Sequence, residues 1–188
     1  MLGTLLSTFI AKLRLHPKFW PHNITVYPGG SLQINRHSDI RHGVEIKVYP
    51  NSTLVIGNIT IGAYTQIASR DFSVIGDSCR IGRFSILSGN FTLGTNVVTG
   101  PFVSIISDHH DLSLNINTPF KGSIYLPKNN QMIHFSVVIA DGVFLGLGST
   151  LFGSCSIGSN CLVRAHSVVK GTFRKNQYIT NKSSKPRL

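Results

Sequence analysis

The chain has 188 residues, room for one domain with a short appendage. It is 41% hydrophobic and only 13% charged, with 18 glycines, which excludes a disordered chain and favours a turn-rich β protein over a helical bundle. Lys and Arg number 18 against 7 Asp and Glu, a net charge of +11, and Glu45 is the only glutamate. A mechanism built on paired carboxylates is disfavoured by supply alone, and the excess charge points to an anionic partner.

Leu2, Leu5, Leu6, Phe9, Ile10 and Leu13 fall at helical spacing until Pro17 and Pro21 end the pattern. This predicts a short N-terminal amphipathic helix within residues 1–22, packed on the domain. Lys12, Arg14 and Lys18 make a peripheral membrane contact the alternative. No apolar run of about 18 residues occurs, and no secretory pattern opens the chain. The expected location is the cytoplasm, with association at the inner membrane face as the alternative. Arg36, His37, Arg41 and His42 then form a basic cluster that guides an anionic acceptor or lies in solvent.

Beyond it the helical period disappears and a period of six takes over. Val55, Ile61 and Ile67 step by six. The frame then slips by two around Asp71–Ser73, which predicts a bulge or small corner loop. Ile75, Ile81, Leu87 and Leu93 resume the comb, followed by Gly76, Gly82, Ser88 and Gly94, and the frame continues through Thr99 to Ile105. A second comb runs Ile139, Leu145, Leu151, Ile157, Val163, Val169. Two residues before each stands a small or β-branched one: Val137, Val143, Ser149, Cys155, Cys161, Ser167.

Six residues make one short strand and one turn, and three such units close a triangular coil. The aliphatic points inward and stacks on its counterpart one coil away. The residue two before it also faces inward, because strand side chains alternate. Cys79, Cys155 and Cys161 all fall on the small inward position and read as core filler. Three cysteines are too few for a disulfide scaffold, and no CxxC pair exists. Residues 106–135 break the period, and such an excursion from a solenoid usually carries function. The expected organisation is a helix at 1–22, a β domain at 23–170 interrupted by the loop 106–135, and a basic tail at 171–188.

The excursion opens with Ser107-Asp108-His109-His110-Asp111. A base near neutral pH is readily made from His, and an adjacent acid orients the ring or holds a substrate. The candidates are His110 and His109 as catalytic residues, with Asp108 and Asp111 binding substrate. A metal reading would use His109, His110 and His134, but adjacent histidines on an extended segment point to opposite faces, so no metal is expected. The basic residues are not interleaved with aromatics along the chain, so no nucleic acid is expected.

The repeat, as [LIV]-G-x4 over roughly residues 45–170, resembles the hexapeptide-repeat acyltransferases, whose fold is an all-β, left-handed parallel β-helix. Leu93-Gly94-Thr95-Asn96-Val97-Val98-Thr99-Gly100-Pro101 is similar to the IGDNVxIxP stretch of their maltose and galactoside acetyltransferase branch. Running on without gaps, the resemblance puts His110 at the catalytic position, whereas the local Ser-Asp-His string would choose His109. Val143-Phe144-Leu145-Gly146-Leu147-Gly148-Ser149 resembles VWIGxGA, and Ala165-His166-Ser167 an AGSVV string. The resemblance implies acetyl-CoA bound by Gly146, Gly148, Ser149, Ala165, Lys170 and, in a VxGNPAK-like closure, Lys185. It further implies a homotrimer and direct transfer to a sugar or cell-surface polysaccharide hydroxyl. An amino-sugar or antibiotic N-acetyltransferase, or a non-enzymatic β-helix scaffold, are the alternatives.

Overall fold

The computed structural model describes residues 23–107 and 135–181, with the backbone of the strands His109–His110, Met132–Ile133 and Ser184–Pro186. The expected helix within residues 1–22 lies outside the described residues. Among the described residues there is no α-helix; short strands wind into a parallel β-solenoid of triangular section.

Three sheets form its faces. The first stacks Asn23–Val26, Glu45–Val48, Gln66–Ser69, the start of Ile86–Leu93, Ser104–Ile106, and the starts of Thr150–Ile157 and Val168–Phe173. The second stacks Ser31–Ile34, Thr53–Ile56, Phe72–Ile75, Ser136–Ile139 and the ends of the three longer strands. The third stacks Asp39–Ile40, Thr60–Ile61, Arg80–Ile81, Val98–Thr99, Phe144–Leu145, Leu162–Val163 and Gln177–Ile179. All these pairings are parallel. The first corner joins faces one and two, the second joins two and three, and the third joins face three to face one of the next coil.

The six-residue comb is the interior. Ile67, Leu87, Ile105, Leu151 and Val169 stack in register up face one. Every member of the second comb, and every small residue two before it, is buried. Each aliphatic removed from water contributes about 1.5–3 kcal/mol, and only the neighbouring coil supplies its cover. Phe91, the largest fully buried side chain, fits because Ser73 stands next to it in its column.

The first corner changes length along the axis. Residues 49–52 form it in one coil and residues 70–71 in the next, while Ile86–Leu93 passes through unbroken at Gly89, whose φ is 101°. The predicted slip near Asp71 is the two extra residues of this corner, since Ile67 to Ile75 spans eight residues where Leu87 to Leu93 above it spans six. Ser69 Oγ lies 3.0 Å from the Thr53 carbonyl and 3.1 Å from Ser73 Oγ, filling the turn with satisfied polar groups. The second corner corrects one position: Ile56 to Ile61 spans one residue fewer than Ile75 to Ile81 in the next coil, so Val55 faces outward and Leu54 and Ile56 point into the core. The solenoid continues past the expected boundary at residue 170, because Ile179 fills an interior column and Gln177–Ile179 pairs with Leu162–Val163. Asn181 then accepts the Val168 N–H through its side chain, and Ser184–Pro186 adds an antiparallel strand at the edge.

Candidate functional site

Face one of the upper coils carries the predicted site residues at its two margins. At the first corner the chain leaves the solenoid after Ser107, which is fully buried and accepts the Asn90 N–H at 2.6 Å through its hydroxyl. The departing strand His109–His110 pairs antiparallel with the returning Met132–Ile133, His109 opposite Ile133 and His110 opposite Met132. The excursion therefore starts as a two-stranded ribbon. The side chains of Asp108, His109, His110, Asp111 and His134 lie outside the described residues.

Lys170 stands beside this root. Its Cε and the Phe135 ring lie 3.7 and 3.9 Å from the point where Gly153 would carry a Cβ, and its ammonium sits 5.4 Å from the centre of the Phe152 ring. Lys185 is elsewhere: its backbone pairs with Tyr178 on face three, so the two predicted lysines lie on different faces.

The third corner is the other margin. Each coil turns there through a left-handed residue: Gly43, Tyr64, Phe84, Phe102, Gly148 and His166, with φ between 56° and 69°. Backbone bonds tie successive coils, Phe102 N–H to the Arg83 carbonyl at 3.0 Å, Gly148 N–H to Pro101 at 2.9 Å and His166 N–H to Leu147 at 2.8 Å. Bulky left-handed residues are strained, and here the rings stack, Tyr64 on Phe84 at 5.3 Å and Phe84 on Phe102 at 5.1 Å. The aromatic ladder stops at Gly148. It was invisible as a motif, since its members lie one whole coil apart; reading the chain at the coil period instead of six would have found it.

Gly146, Gly148 and Ala165 come together at this corner in adjacent coils. Gly146 has a packing reason of its own, because a Cβ there would overlap the Ala165 backbone. Gly100 and Gly82 do the same one and two coils below. Gly148 is half-buried and Ala165 exposed. Ser149 faces the interior, is fully buried, and its hydroxyl lacks a hydrogen-bond partner among the described residues. Between the two margins face one presents Thr150, Phe152 and Val168 outward.

Cys155, free and buried, has its thiol pushed up to about 11 by burial, and burial raises Cys79 as well. Neither is set up as a thiolate nucleophile. Among the described residues no three His, Cys, Asp or Glu side chains converge as a metal site would require.

No protein-family model matches the chain. A bifunctional protein GlmU of Streptococcus pyogenes serotype M12 (strain MGAS9429) is 25% identical over 132 residues, which cover 70% of this chain and 27% of that protein. The chain thus spans about a quarter of the length of that relative. Among solved structures, a mutant of AntD, an N-acyltransferase from Bacillus cereus, in complex with dTDP-4-amino-4,6-dideoxyglucose and coenzyme A, is 16% identical with a TM-score of 0.48. That comparison covers 97% of this chain and 89% of the other. The polysialic acid O-acetyltransferase OatWY is 18% identical with a TM-score of 0.45, over 87% of this chain and 86% of the other.

Proposed function

We propose that the protein is an acyltransferase that moves an acetyl group from acetyl-CoA to a hydroxyl of a sugar or cell-surface polysaccharide. The observation that carries this reading is the break in the solenoid. The His109–His110 strand leaves at one margin of face one, and the small-residue corner of Gly148 and Ala165 forms the other margin.

The upper coils suit a phosphorylated donor. Arg164, Lys170, Arg174 and Lys175 are exposed, while the only acid between residues 135 and 181 is Asp141, whose carboxylate is held by the Thr95 N–H at 2.7 Å. Cations without a competing carboxylate are what phosphates need. Gly148 and Ala165 give an extended arm backbone to lie on, and Lys170 and Lys185, on different faces, are alternative partners for the charged end. Gly146 and Ser149 serve this wall indirectly, one by letting the coils close up and the other from inside.

Acetyl-CoA supplies an electrophilic thioester carbonyl and a thiolate leaving group. In this reading His110 takes the proton of the attacking hydroxyl as the new C–O bond forms, and returns it to the departing sulfur as the C–S bond breaks. His109, Asp108 and Asp111 hold the acceptor. The third face supports assembly as a homotrimer. Its outward column changes from Asp39, Thr60 and Arg80 below to Val98, Phe144 and Leu162 above, and Phe144 is 42% exposed.

The test is thiol release from acetyl-CoA with a panel of hydroxyl and amino sugars and of polysaccharide fragments. Acceptor-dependent release that falls about 10²–10⁴-fold in His110→Ala supports the reading. Loss in His109→Ala alone moves the base to His109. Release with amino sugars only changes the reaction to N-acetylation. Absence of release with every acceptor, together with no binding of acetyl-CoA, overturns the proposal in favour of a scaffold.

A further inference from the structure

The third corner differs from the other two in charge as well as in shape. The chain has seven acids. Asp39 is paired with Arg41 at 2.8 Å and Glu45 with Lys47 at 2.7 Å. Asp77 and Asp141 accept backbone N–H groups at the second corner, at 2.6 and 2.7 Å. Asp71 faces Asn90 across the first corner at 3.3 Å, and Asp108 and Asp111 belong to the excursion. No unengaged carboxylate remains on the third corner among the described residues. Arg83 projects from that corner and Arg80 from the adjoining face, both exposed and without an ion pair among the described residues, with the Arg83 guanidinium carbon 6.0 Å from the centre of the Phe84 ring.

Beside these cations run Tyr64, Phe84 and Phe102, exposed by 52%, 42% and 54%. Cations and aromatics are thus side by side in space, contrary to what the chain order suggested. The rings lie nearly parallel, at 5° and 10°, so both faces of Phe84 are covered and the three rings present their edges to solvent in one column. An aromatic ring is negative on its face and positive at its rim. The exposed rims therefore add to the arginine charge. From Tyr64 to Phe102 the corner rises two coils below the Gly148 wall, about 10 Å at the usual strand spacing, longer than one sugar.

We propose that this corner is a docking edge for an extended anionic polysaccharide, laid along the solenoid axis toward the upper coils. The inference rests on the acyltransferase reading and specifies its acceptor as an acidic polymer rather than a free monosaccharide.

The experiment is direct binding of galacturonate monomer and oligomers, and of neutral glucose oligomers of matched length, to the full chain. Affinity that rises with length in the acidic series only, and weakens with added salt, is the expected result. In Arg80→Ser/Arg83→Ser the advantage of the long acidic oligomer over the monomer should shrink about tenfold, since charge-assisted hydrogen bonds are lost. Equal binding of neutral oligomers, or an unchanged double variant, overturns the proposal. So does tighter binding of polyuridylate or of anionic lipid vesicles than of the longest acidic oligomer. These readouts need no turnover, so absent thiol release with intact, length-dependent binding overturns the acyl-transfer reading alone.

Discussion

Nδ1 of His166 lies 2.7 Å from the point where a Cβ on Gly148 would stand. Both residues are left-handed, at φ 56° and 63°, and occupy successive coils of the third corner. The glycine is required twice over, by its backbone and by the ring above it. Gly148→Ala should therefore lose about 2–4 kcal/mol in urea unfolding. Adding His166→Gly removes the overlap but not the backbone cost, so the double variant should recover roughly half of the loss. Full additivity would show that the two residues do not touch.

Glycines that look alike in the repeat should differ sharply on substitution. A Cβ on Gly82 would overlap the Gly100 carbonyl of the next coil. Carbonyl and strand ladder are both fixed, so Gly82→Ala should cost at least about 3 kcal/mol. Gly171, in the last coil, has nothing within 4 Å of its Cβ position and only its φ of 98° to object. Gly171→Ala should cost about 1 kcal/mol. Thermal midpoints of the two variants measure the contrast directly.

The solenoid was legible because its repeat is local: Ile139, Leu145, Leu151, Ile157, Val163 and Val169 announce themselves at fixed spacing, and all are buried. Val55 was misplaced because corner length is not written in the period; the second corner between Ile56 and Ile61 is one residue shorter than that between Ile75 and Ile81. Gly146 read as a ligand contact because its packing partner, the Ala165 backbone, is a full coil away in sequence. The stack of Tyr64, Phe84 and Phe102 was missed for the same reason. The site itself was signalled by failure of the period. That the excursion opens as a ribbon, with His109 opposite Ile133, depends on a pairing between its two ends that no local pattern encodes.

Hydroxyls on the inward corner are not equivalent. Thr65 Oγ1 donates to the Gly82 carbonyl at 3.0 Å, and Ser85 Oγ accepts the Val103 N–H at 3.2 Å. Ser149 Oγ, buried in the same column, is unpaired among the described residues. Removing an unsatisfied hydroxyl relieves a desolvation cost, whereas removing a paired one strands its partner. Ser149→Ala should be neutral or up to about 1 kcal/mol more stable, and Ser85→Ala about 1–2 kcal/mol less stable. A comparable loss in both would show that Ser149 has a partner in solution, such as a buried water.

The buried thiols tie stability to alkaline pH. Burial holds Cys155 at about 11 in the fold, against an ordinary value of 9.0. Above pH 9 the unfolded chain releases this proton while the folded chain keeps it, so the unfolded state binds fewer protons and stability falls as pH rises. The loss develops between about pH 9 and pH 11 and amounts to no more than about 3 kcal/mol. Cys79, raised in the same direction, adds to it. Cys155→Ala loses some packing at neutral pH, yet its stability should decline less steeply over that window, so the two urea-midpoint curves converge. Tyrosine and lysine titrations are common to both proteins and cancel in the difference. Curves that stay parallel from pH 8 to pH 11 would mean that the Cys155 thiol ionises in the fold as it does in the unfolded chain.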